Sequence, residues 1–216
     1  MTSGILHPVL WLLFASASAA NPAAPPDAAA LVASLARPPP AQTAYTEVRF
    51  AAMFAHPVIT RGELEYLGPG HFVKTTTEPF HERAEIANGA VTTTRGNGMA
   101  KRFPLDRIPA LRPFLDGFGA LLGGDAAALA RDFELELRGD EQRWQLQLHP
   151  RDDDLGRRIT SITVNGRNRE PVCFTTRETD GDESVLLTGP LAGQALPPRP
   201  SPGALAMRCA GGDAPR

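Results

Sequence analysis

Two stretches of the chain alternate so strictly between apolar and polar residues that only strands accommodate them. Phe133, Leu135 and Leu137 alternate with Asp132, Glu134, Glu136 and Arg138; beyond Gly139-Asp140, Trp144, Leu146 and Leu148 alternate with Arg143, Gln145, Gln147 and His149. A period of two puts each set on one face of a sheet, which predicts antiparallel strands with one dry and one wet face. The pattern continues through Ile162/Val164 and Val172/Phe174 around Asn165-Gly166, a two-residue hairpin signal, and into a strand at 184–187. Nearer the start, Val48, Phe50, Ala52 and Phe54 share one side of a strand beginning at Tyr45, and Glu47, Arg49 and Ala51 share the other. Further strands are predicted at 60–67, 71–77, 83–87 and 90–94, with Asn88-Gly89 turning the last pair.

Between the two strand groups the period changes to that of a helix. Leu111, Phe114, Leu115, Phe118, Leu121 and Leu122 fall on one face, Gly123-Gly124 stops the run, and Asp125 can cap a short helix at 126–130. Pro109, Pro113, Gly117 and Gly119 weaken the cohesion of the longer helix. A further short helix is predicted at 28–36, ended by Pro38-Pro39-Pro40, and the Pro-rich stretch 194–202 reads as an extended arm. The expected fold is mainly β with helices: a half-open antiparallel barrel of about ten to eleven strands covered by an α-helical lid.

The first 20 residues change the picture of where the protein works. Ile5 to Ala15 is apolar but far short of the roughly 20 residues that cross a bilayer, and Ala17-Ser18-Ala19-Ala20 supplies a small-residue cleavage site. Residues 1–20 therefore read as a secretory signal peptide, although no Lys or Arg precedes the apolar run. The expected organisation is a leader at 1–20, an N-terminal helix and linker at 21–43, a half-barrel at 44–190 with a helical insert at about 105–131, and a Pro-rich tail at 191–216. Cys173 and Cys209 are the only cysteines, and in an exported domain such a pair is expected to form a disulfide tying the tail to a strand. With 22 basic and 24 acidic residues the net charge is −2, and the basic residues are scattered, so nucleic-acid binding has no support. A single monomeric domain is expected.

Chemistry is sparse. The chain has no G-x-S-x-G, P-loop, H-E-x-x-H or C-x-x-C, so no cofactor or metal is called for. Asp152-Asp153-Asp154 lacks the ligand spacing of a calcium loop and reads as a solvated turn. His81 with Glu82 and Glu85 could make an acid/base set, but exposed cross-strand charges explain these residues as well. The inward positions are expected to be Val, Phe, Leu, Trp and Ile, with no acid or base among them.

One segment is more specific: Gly62-x-Leu64-x₄-Pro69-x₂-Phe72-x-Lys74-x₄-Pro79, followed by Asn88-Gly89. It resembles the early strands of the periplasmic outer-membrane lipoprotein carrier family, the LolA-like proteins, in which a G-x-L strand leads through Pro and an aromatic-rich strand to a second Pro and an N-G or D-G turn. Phe50, the helix ending Gly123-Gly124-Asp125 and the leader occur in matching order. The resemblance implies a noncatalytic carrier of a lipid, lipoprotein acyl chains or another amphiphile, served by an inner-membrane transporter and an outer-membrane acceptor. It implies an apolar concavity lined on the sheet side by Phe50, Phe54, Leu64, Phe72 and Phe80. The lid side would be Leu111, Phe114, Leu115, Phe118, Leu121 and Leu122. Gly68 stands where the carriers have an Arg, and Lys74 where a Trp is common, which points to a branch with a different amphiphile. The same fold without lipid would suit an envelope sensor or protein-interaction domain.

Overall fold

Asn88 and Gly89 both adopt left-handed backbone, with φ of 51° and 69°, the geometry that turns two strands back on each other in two residues. Such reversals build most of the fold. The computed structural model describes residues 27–107 and 111–212, and the side chains of Asp106 and of residues 111–114 are left out of the description. The leader expected at 1–20 lies outside the described residues.

The chain opens with helix α1 (Ala28–Ser34), which Asp27 caps by accepting from the Ala29 amide at 2.8 Å. Strands β1 (Ala41–Phe50), β2 (Val58–Gly68), β3 (His71–Glu78), β4 (Glu82–Ala87), β5 (Ala90–Arg95) and β6 (Lys101–Pro104) follow as an antiparallel meander. Helices α2 (Leu111–Gly123) and α3 (Ala126–Asp132) then cross to the far edge of the sheet. There β7 (Phe133–Gly139), β8 (Trp144–Pro150), the one-turn helix α4 (Asp153–Gly156), β9 (Ile159–Arg167), β10 (Glu170–Glu178) and β11 (Glu183–Thr188) meander back. The last helix is α5 (Pro202–Cys209). The sheet has eleven strands in the order β6-β5-β4-β3-β2-β1-β11-β10-β9-β8-β7. The first strand therefore pairs with the last at mid-sheet, Val48 opposite Val185, and the two edges remain apart, a half-open barrel. Because α2 and α3 join the strands at the two edges, they lie across the hollow as its lid.

Register decides the two faces. The helix-bearing face carries Phe133, Trp144, Leu146, Leu148, Ile162, Val164 and Phe174, packed with Val32, Leu35, Leu121 and Leu129 of the helices. The opposite face has a core of its own. Val48, Val185 and Leu187 pack there with Val172, Cys173, Leu191, Leu205 and Cys209, and Phe50 and Ile59 lie against them. The Cys173–Cys209 disulfide, with Cα atoms 5.6 Å apart, pins α5 onto that face.

Several expectations change. Asn165-Gly166 is no turn: both residues lie inside β9, and the reversal falls at Asn168, whose φ is 53°. Gly166 is needed because the Trp144 ring rests on it, and a Cβ there would come within 1.9 Å of the indole. The Trp144 Nε1 donates to the Asn168 carbonyl at 2.7 Å, which locks that packing. The strand expected through Ala52 and Phe54 stops at Phe50, since beyond it neither β2 nor β11 offers a partner. The arm at 194–202 is followed by a helix, started by Pro202 and capped by the Ser201 hydroxyl. Strand β6 carried no alternation to reveal it; all four of its residues are exposed, and Lys101, Arg102 and Pro104 are residues that guard a sheet edge.

Candidate functional site

Apolar side chains on the sheet and on α2 fail to meet over the β1–β4 half of the hollow, and a cavity of about 540 Å³ remains. Its walls are Leu64 and Tyr66 of β2, Phe72 of β3, Ala84 and Ile86 of β4, Phe174 of β10 and Leu186 of β11, with Leu115, Phe118 and Leu122 of α2 opposite. Phe118 of α2 joins the lid to the wall by ring contacts. Its ring lies 6.3 Å from Phe72 and 4.9 Å from Phe174, edge-on to the first. The mouth is framed by Arg37, Gln42, Glu170 and Pro190. There the Arg37 amide donates to the Leu122 carbonyl at 2.8 Å and its guanidinium to the Arg169 carbonyl, which ties α1, α2 and the β9–β10 turn together.

Of the residues expected in the concavity, the structure gathers Leu64, Phe72, Leu115, Phe118 and Leu122 around this cavity. Leu111 and Phe114 lie on α2, but their side chains fall outside the described residues. The other four do not line it. Leu121 is 1% exposed and buried in the helix core, because α2 has two apolar rows: 115, 118 and 122 face the cavity, while 117 and 121 face Phe133. Gly117 belongs to that packing: a Cβ on it would stand 2.3 Å from the Phe133 ring. Phe50 packs under α5 on the opposite face, Phe54 is 44% exposed in the β1–β2 loop, and Phe80 lies against the Arg95 guanidinium 4.1 Å away.

The face expected to be free of charge is not. On β1 the helix-bearing side holds Tyr45 and Glu47, and it is Val48 and Phe50 that turn away, made apolar by the second core under α5. Glu47 and Lys74 both line the cavity. Lys74 Nζ donates to Glu47 Oε2 at 2.5 Å and lies 4.9 Å from the centre of the Tyr45 ring, while the Thr60 hydroxyl donates to the same carboxylate oxygen at 3.3 Å. Tyr45 in turn shares a 2.7 Å hydrogen bond with Thr76. Gly62, opposite Tyr45 on one side and Thr76 on the other, places no side chain between them, and Lys74 reaches Glu47 across it. The sequence carried one signal of this pair, the Lys at a position where the carriers have an aromatic residue.

The other chemical candidates disperse. Glu85 is bonded by His71 at 2.9 Å and flanked by Arg83; the His71 hydrogen bond, then Arg83, hold its carboxyl below the ordinary value. Glu82 and Glu85 point to opposite faces of β4, and His81 precedes it, so the three do not converge. Asp152 caps α4 by accepting from the Leu155 amide at 2.8 Å, and Asp154 pairs with Arg157. Among the described residues no group of three His, Cys, Asp or Glu could hold a metal ion.

Asp132, the last residue of α3, has its carboxyl pushed up by burial and by the charges of Asp116 and Asp152. Its charged form is therefore disfavoured in the native state. The penalty is complete above the folded pKa and disappears as the pH falls below the ordinary carboxylate value. Asp132→Asn should raise the unfolding free energy at pH 7 by less than about 1 kcal/mol, as solvent screens the group. In urea titrations the gain should shrink to nothing in acid, and a gain that persists there contradicts this origin.

A family model described as outer membrane lipoprotein carrier protein LolA-like matches residues 19–211. No curated protein matches the chain. Among solved structures, a LolA superfamily protein of Nitrosomonas europaea is 14% identical, covers 81% of this chain and 96% of its own, and superposes with a TM-score of 0.38. A DUF1329 family protein of Desulfovibrio piger is 7% identical over 78% of this chain and 92% of its own, with a TM-score of 0.40. LprF of Mycobacterium bovis is 12% identical over 83% and 99%, with a TM-score of 0.35.

Proposed function

The chain belongs to the LolA-like outer membrane lipoprotein carrier family, and on that premise we propose that it is a noncatalytic periplasmic carrier. It takes the apolar part of a lipid, of lipoprotein acyl chains or of another amphiphile into the cavity under α2 and conveys it from an inner-membrane transporter toward the outer membrane. The observation that carries the reading is the cavity itself. At about 540 Å³ it lies within the size range of small-molecule sites, and its walls are mostly apolar. A packed core would have closed such a space.

The energetics suit a shuttle. Burying a chain of about twelve methylenes contributes on the order of 10 kcal/mol, from which the costs of association subtract at least about 4, leaving a dissociation constant on the order of tens of micromolar. Cargo is then held long enough to carry and loosely enough to release. The leader expected at residues 1–20 and the family's compartment support the periplasm. Among the described residues no helix is long and apolar enough to cross a membrane.

The test is uptake of an environment-sensitive fluorescent acyl probe by the purified protein, with organic extraction and mass spectrometry of what it retains. One probe per chain, displaced by unlabelled acyl compounds, is expected. A protein that takes up no probe and yields no extractable amphiphile would sink the carrier and leave the envelope-sensor reading.

A further inference from the structure

We infer that the Glu47–Lys74 pair makes the cavity selective for amphiphiles whose polar part is uncharged, an ester, amide or hydroxyl joined to the apolar body, over those whose head is ionised. The inference rests on the carrier reading and specifies its cargo.

An aliphatic wall needs no ion pair, and a pair held against ligand has to be satisfied when the ligand expels water. Glu47 Oε2 is used twice, by Lys74 and by Thr60, whereas Oε1 has no protein partner among the described residues. The Lys74 ammonium has more N–H donors than its single bond to Glu47 employs. The pair therefore presents spare donors beside a spare acceptor while remaining neutral as a unit. An ester or amide carbonyl with a neighbouring hydroxyl or N–H matches that arrangement without breaking it.

An ion does not match. A carboxylate on the spare Lys74 donors brings a second negative charge beside Glu47, and an ammonium on Glu47 Oε1 brings a second positive charge beside Lys74, so the neutral pair can balance neither. Either way one surplus charge is shut into an apolar space. The remaining charges on the wall do not offset it. Glu65 is engaged by Arg83 at 3.5 Å, and Arg37 and Glu170 stand at the mouth with opposite signs.

The experiment compares three competitors of the same chain length against the fluorescent acyl probe, below their micellar concentrations: a 1-monoacylglycerol, the fatty acid anion at pH 8 and the alkyl ammonium. For the native chain the monoacylglycerol should bind about tenfold or more tightly than either ion. Glu47→Gln leaves Lys74 as a lone cation and should turn the preference toward the fatty acid anion. Lys74→Met leaves Glu47 as a lone anion and should turn it toward the ammonium. Each preference is a ratio read on one protein, so a general loss of stability cancels. Equal affinities in the native chain, a native preference for an ion, or ratios unmoved by both substitutions would overturn the inference while probe uptake keeps the carrier reading intact. Failure of the native chain to bind the probe at all would overturn both.

Discussion

Cys173→Ala/Cys209→Ala is expected to lower the unfolding free energy by about 4 kcal/mol, the entropy that a loop of this length regains in the unfolded chain. The bridge spans 36 residues, and its half-cystines are 0% and 4% exposed. The effect extends past loop entropy. Helix α5 has eight residues, too few to persist alone, and together with Leu191 and Leu196 it covers Val48, Val185 and Leu187. Where α5 leaves, part of the far face of β1 and β11 is uncovered, so aggregation at raised temperature should accompany the loss. Urea unfolding of the oxidised native chain against the double variant measures it; a difference within about 0.5 kcal/mol would show that α5 docks without the bond. Acyl-probe uptake under native conditions should survive, because the second core and the cavity lie on opposite faces of the sheet.

Ala84→Trp should have the reverse profile, with uptake lost and stability kept. Ala84 is half-buried, sits directly across from Lys74 in the β3–β4 ladder and borders the cavity. An indole grown from it enters empty space, so it meets none of the overpacking cost of a filled core. Probe affinity should fall by about tenfold or more, because the ring occupies volume that an acyl chain would take. The thermal midpoint should stay within about 4 °C of the native value, the change that roughly 1 kcal/mol produces in a domain of this size. Undiminished uptake would place the ligand somewhere other than under α2.

Much of the fold was legible because its signals are local. The alternation of β7 and β8, the Asn88-Gly89 turn and the one-sided apolar run of α2 are stated within a few residues each, and all three stand in the structure. The readings that failed each depended on a distant partner. Asn165-Gly166 has the composition of a turn, yet Trp144 from another strand claims its glycine for a packing surface. Val48 and Phe50 are apolar as an inward side of β1 would be, yet they face away from the cavity. A strand covered on both faces has no wet side for that rule to find, and the second cover, α5, lies more than 150 residues along the chain.

The candidate site divides in the same way. Leu64, Phe72, Leu115, Phe118 and Leu122 could be named from periodicity and motif, but periodicity alone cannot separate the two apolar rows of α2. Leu121 went to the core because Phe133 packs on the row of 117 and 121, while Leu122 lies on the row of 115 and 118 that borders the cavity. The sequence by itself determined the antiparallel sheet, the lid helix and the family, since period, turn chemistry and residue type act over short range. Only the tertiary structure decided which apolar residues leave a space and that Glu47 and Lys74 meet across Gly62 inside it. A cavity is a failure of side chains from separate elements to fill a common volume, and no stretch of sequence holds that volume within itself.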